Sequence, residues 1–137
     1  MAFALASEWN TQGLTLIAPT LLAYEVANTL RQKVRAGKMS ADDARAALAG
    51  VLSGGLVLDT LDQAQQAVQS ERALALANQF DLSATYDARY LALAEREGCE
   101  YWTADQRLWN AVKTHLPWVR WLGERAAPAP TASPPTP

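Results

Sequence analysis

Three acidic residues stand where hydrophobic patterning alone would not put them: Glu25, Asp87 and Asp105. Glu25 follows Leu21 and Leu22 and precedes Val26, with Asn28 and Thr29 three and four residues on. On a helix it shares a face with apolar and hydrogen-bonding neighbours. Asp87 opens a helical stretch on the side of Leu91 and Ala94, near the end of the helix dipole that favours an anion. Asp105 follows the strand-like CEYWT and precedes a helix, at the carboxyl end of a strand, where open α/β sheets build their sites. Carboxylates sharing one cleft repel each other, and a divalent cation that prefers hard oxygen ligands relieves that repulsion. Such a set suits Mg2+ or Mn2+ and phosphodiester hydrolysis. Each acid also has an ordinary structural role open to it: Asp105 as a helix N-cap, Asp87 as a first-turn acid, Glu25 as a solvated or singly paired side chain.

The other reactive residue types point less sharply. His115, the single histidine, ends a helix before Leu116 and Pro117, where an imidazole partners the dipole. Cys99 opens a strand and reads as a small buried hydrophobe. One Cys and one His supply no zinc set. Trp102, Trp109, Trp118 and Trp121 read as core or interface rings, an exposed one being able to stack on a base. Arg31, Lys33, Arg35 and Lys38 form a basic cluster, either a solvated helix face or a phosphate-contacting one. The sequence holds no P-loop, GxGxxG or GxSxG.

The elements that must position these residues alternate in period, which indicates an α/β layered fold rather than a bundle. A short helix is expected over residues 2–10, and a strand over 14–18 closed by Pro19. The next helix carries Leu22, Val26 and Leu30, and Gly37 stands at its C′ position. Ser40 caps a further helix with Asp42 and Asp43 in its first turn. A second strand is expected over 56–61, and a long Ala/Leu/Gln helix over 63–80. Asp81, Ser83 and Thr85 offer caps for the helix that carries Asp87 and ends at Gly98. The third strand is read over 99–103, a helix over 106–116 and a fourth strand over 118–122. Strands separated by helices imply parallel pairing.

The 137 residues suffice for one domain, ending at Gly123. The tail, residues 124–137, holds five of the seven prolines and too little apolar surface to order. Half the residues are apolar, and 12 Lys+Arg against 14 Asp+Glu give a net charge of −2, which excludes a wholly disordered chain and a strongly basic nucleic-acid wrapper. A single cysteine forms no internal disulfide, and no apolar run spans a bilayer. A cytoplasmic protein without a membrane anchor is the expectation.

From IAPTLLAYEVANTL through SADDARAAL to TYDARYLALAEREGCEYWTADQRL, in that order, the sequence resembles a PIN-domain ribonuclease of the VapC toxin type. The resemblance covers residues 14–122, and YDARYLALAE followed by the TAD triplet is its most specific part. It implies a three-layer α/β/α sandwich around a parallel sheet of order 3-2-1-4-5. It also implies an endoribonuclease that uses one or two Mg2+ (or Mn2+) ions. Glu25, Asp87 and Asp105 match the second, third and fourth acidic positions of the family, as catalytic metal ligands. Thr103 matches a polar position beside them, Asn28 supports the site, and Arg31, Lys33 and Arg35 are the candidates for RNA contact. A cognate antitoxin and a homodimer are implied as partners. The chain departs from the pattern at its start, where nothing before Leu14 supplies the family's first, central strand or the acid that ends it. Either the reading frame begins upstream, or this is a degenerate, non-catalytic PIN-like protein that binds antitoxin or RNA.

Overall fold

The computed structural model describes residues 8–9 and 11–125. Most of the helix expected over 2–10 and residues 126–137 of the tail lie outside them. The chain gathers into two compact units, one ending at Gln65 and the other beginning at Gln66. Among the described residues no helix is long and apolar enough to cross a membrane.

The first unit contains β1 (Leu16–Pro19), α1 (Leu21–Arg35), α2 (Ala41–Ser53) and β2 (Leu56–Asp59). β1 and β2 pair in parallel, with Leu16 opposite Leu56 and Pro19 opposite Asp59. Both strands are shorter than the apolar runs suggested, because a strand ends where its ladder partner ends. Local chemistry sets the helix ends as expected. Gly37 (φ +66°) closes α1: its N–H bonds the Val34 carbonyl and the Lys38 N–H bonds the Lys33 carbonyl, a Schellman turn. Ser40 Oγ accepts from the Asp43 N–H (3.0 Å) and so caps α2. At the exit of β2, Asp62 and Gln65 exchange side-chain-to-backbone bonds of 2.8 and 3.1 Å, a capping box ahead of the next helix.

That helix, α3 (Gln63–Gln79), leads into the second unit, which continues with α4 (Thr85–Glu97), β3 (Tyr101–Thr103), α5 (Gln106–Val112), β4 (Val119–Trp121) and the short α6 (Leu122–Arg125). Asp81 adopts φ +50° just after α3, a conformation that Asp tolerates better than most residues. The caps expected from Asp81, Ser83 or Thr85 do not form: the N-cap of α4 is Ala84, with no side-chain bond, and Thr85 is already helical. Gly98 (φ +62°) ends α4 in a second Schellman turn, with Cys99 N–H bonding the Ala94 carbonyl, and sends the chain back as β3. β3 and β4 pair in parallel, Tyr101 opposite Val119 and Thr103 opposite Trp121. The fold is therefore mixed α/β with parallel strands, held among the described residues as two two-stranded ladders.

The core lies in the second unit. Ala73, Leu76 and Ala77 of α3 meet Ala88, Leu91 and Ala92 of α4, Leu108 and Val112 of α5, Leu116 and Val119. Positions 69, 73, 76 and 77 are the i, i+4, i+7, i+8 stripe of one helix face. Gln69 on that stripe and Arg89 on α4 are also buried. They satisfy each other, Arg89 Nη1 donating to Gln69 Oε1 (3.3 Å) and Nη2 to Gln66 Oε1 (3.1 Å).

Candidate functional site

Asp105 sits immediately beyond the carboxyl end of β3 and is the N-cap of α5. Its Oδ1 accepts from the backbone N–H groups of Arg107 (2.8 Å) and Leu108 (3.2 Å). The capping role open to it in the sequence is thus realised. Both cap bonds fall on one oxygen, leaving Oδ2 for another ligand. Thr103 is buried, and its Oγ1 accepts from the Asp105 N–H (3.0 Å). Thr103 therefore holds the backbone of Asp105 rather than its carboxylate. An acid pinned this way needs little reorganisation to meet a cation.

Asp87 is half-buried in the first turn of α4, at the positive end of that helix. Leu91 and Ala94, on its side of the helix, are buried as the spacing required. The Tyr90 and Tyr101 rings stack with centroids 6.0 Å apart, so the start of β3 lies beside the middle of α4. Since the turn at Gly98 folds β3 back along α4, the first turn of α4 and the carboxyl end of β3 lie at the same end of this unit. Asp87 and Asp105 belong to that end. Arg89 is about 200° around α4 from Asp87, and it fastens α4 to α3.

In the first unit Glu25 is half-buried in the second turn of α1, which begins directly after the carboxyl end of β1. Asn28 is exposed one turn further on. The sequence reading passed over Asp59, the last residue of β2, half-buried at the same carboxyl end of this ladder. Its signal in the sequence is an apolar LVL ending in an acid, which a strand extended to residue 61 obscures. Arg31 and Arg35 are exposed on one side of α1. Lys33, also exposed, is roughly 160° around the helix from both, so the three do not form one basic face.

The remaining candidates have structural partners. Burial raises the Cys99 thiol above its ordinary pKa, and the nearby Glu97 charge adds to this, which makes it a poor nucleophile. His115 packs its ring 5.7 Å from Phe80. Trp109 stacks on Trp121 at 5.4 Å, with Lys113 Nζ 4.1 Å from the Trp109 ring centre, so that face is taken by the protein's own cation. Among the described residues no three His, Cys, Asp or Glu side chains gather closely enough to cage a metal ion. The donors present are carboxylates, the hard oxygen ligands of Mg2+, which is commonly held by one or two of them with waters and substrate phosphates completing the shell.

A search of curated proteins finds no match to the chain. The family model described as PIN domain matches residues 5–121, and PIN domains are generally nucleases. That match spans well over half of the sequence, from ahead of β1 to the end of β4, and the chain belongs to the PIN domain family.

Proposed function

We propose that this PIN domain is a Mg2+- or Mn2+-dependent endoribonuclease acting as the toxin of a type II toxin–antitoxin pair. Glu25, Asp87 and Asp105 serve as its carboxylate ligands. The observation that carries the reading is the pinning of Asp105 at the carboxyl end of β3 by two helix N–H groups and by Thr103. Its support in the first unit is the placement of Glu25 just past the carboxyl end of β1. When bound, the metal supplies charge neutralisation at the scissile phosphate and an activated water. The chain's own part is to hold Asp105 in one orientation and to present Asp87 in the first turn of a helix, where the dipole favours an anion. Arg31 and Arg35 attract the RNA backbone. A three-layer α/β/α sandwich lacking the family's first strand, a homodimer, a cognate antitoxin and a cytoplasmic location belong to the same reading.

The test is cleavage of a structured RNA in Mg2+ or Mn2+, with and without EDTA, by protein purified free of antitoxin. The family's first acid has no counterpart in residues 14–122, so these 137 residues are expected to cleave weakly. A chain lengthened at its amino end by an apolar strand ending in Asp is expected to cleave strongly. It should stop with EDTA and with Asp87→Asn or Asp105→Asn. Silence of both folded proteins overturns the nuclease reading in favour of a non-catalytic protein that binds antitoxin or RNA.

A further inference from the structure

Tyr24 is the most exposed of the large hydrophobic residues among those described, at 76%. Its ring and hydroxyl make no hydrogen bond or ring contact among them. An amphipathic helix has no folding reason to place an aromatic ring in water. At about 100° per residue, Tyr24, Asn28, Arg31 and Arg35 fall within roughly 60° of one another on α1. All four are exposed, and neither arginine has an ion-pair partner among the described residues. The stripe begins one residue before Glu25 and runs away from the carboxyl end of β1, with the ring at its start and the cations towards its end. No acid lies on it. Glu25 borders it, about 100° around the helix from Tyr24.

We infer that this stripe is a single-stranded RNA track, with Tyr24 as the platform on which one base stacks beside Glu25 and with Arg31 and Arg35 on the phosphates that follow. The inference rests on the nuclease reading for the identity of the strand as substrate, but not for its binding. A flat π-face accepts any unpaired base, and guanidinium groups one helical turn apart suit successive backbone charges. A protein partner is the less suitable occupant, because the stripe offers it one isolated ring and two like charges with no apolar continuation. Lys33 lies outside the track, on the opposite flank of α1.

The experiment is fluorescence-anisotropy binding of fluorescein-labelled 12-nucleotide oligo(A) and oligo(U) to the full chain in EDTA, where nothing is cleaved. Tyr24→Ala is expected to weaken binding about tenfold, more for oligo(A), and Tyr24→Phe to keep it. Arg31→Gln and Arg35→Gln should each lower the salt slope by about 0.7, while Lys33→Gln leaves it nearly unchanged. The exposed positions permit folding of every variant, checked by circular dichroism. Wild-type affinity in Tyr24→Ala overturns the proposal and gives the ring to a protein surface. Equal loss in Tyr24→Phe overturns stacking, and an equal effect of Lys33→Gln overturns the track. Binding without cleavage in any metal leaves the track standing and removes the nuclease reading alone.

Discussion

The two units are built on the same plan and anchored differently. Each has a two-stranded parallel ladder with a candidate acid at or just past its carboxyl end. In the second unit α4 alone buries six residues, and three of them, Ala88, Ala92 and the fully enclosed Leu91, join the core with α3, α5 and β4. In the first, Ala18, Pro19 and Leu30 are the buried residues of the described elements, and α2 buries none. Helix caps and glycine turns are equally good in both, so they shape elements without fixing them. Packing against a shared core is what immobilises a helix. Asp87 and Asp105 thus stand on a scaffold held by burial, and Glu25 on one held mainly by local bonds and a ladder of four residue pairs.

The largest effect that could break this contrast is in the core. Leu91→Ala, at a site with no exposure, is expected to cost about 2–5 kcal/mol in urea unfolding, and Leu30→Ala clearly less. Amide exchange should follow, with α4 protected far longer than α2. Equal costs or equal protection would mean that the first unit is as firmly anchored as the second. Capping comes next in size. Ser40→Ala and Asp105→Ala should each cost about 1 kcal/mol, one cap in each unit, while Asp105→Asn keeps the cap and changes stability by only about 0.3 kcal/mol. Thermal melts of the three variants check this, and they also decide whether inactivity of Asp105→Asn reflects lost charge rather than lost structure.

Much of this was legible in the sequence where the cause is local. Gly37, Ser40 and Gly98 announce their turns because the backbone at those points needs a left-handed residue or a side-chain acceptor. Asp105 announces itself for the same reason, and its cap and its candidate ligand role share one carboxylate. Strand extents were not legible, since the partner strand sets them: β2 stops at Asp59 opposite Pro19 and not at Leu61. Glutamine and arginine ordinarily face water, and only the meeting of α3 with α4 buries Gln69 and Arg89 together. The resemblance puts Thr103 at a polar position beside the acids, but its bond to a backbone N–H depends on the tight turn into α5. The split of the basic cluster follows from helical angle alone, which the spacing of Arg31, Lys33 and Arg35 already sets.

The smallest effect sharpens the comparison through charge. In the second unit Arg72 on α3 grips Glu95 on α4, Nε to Oε2 and Nη2 to Oε1, both at 2.6 Å. This two-pronged hydrogen bond holds the Glu95 carboxyl below the usual glutamate range, against the opposing effect of partial burial and with help from the Arg72 charge. The same bond raises Arg72. With the folded value depressed, the pair's contribution is fully present above the unfolded glutamate pKa, roughly 4.3, and is lost as pH falls through the folded value. Both side chains are more than a third exposed, so solvent screens the pair and the expected contribution is below about 1 kcal/mol. The difference in unfolding free energy between wild type and Glu95→Gln should therefore be small and constant at neutral pH and should shrink below pH 4 or so. In the first unit the Arg45–Asp42 pair is 3.4 Å long and over four-fifths exposed, and Asp42→Asn should cost nothing measurable through that pair. A Glu95→Gln difference that does not change with pH would show that the substitution acts through packing between α3 and α4, and that charge adds nothing to the anchoring of the second unit.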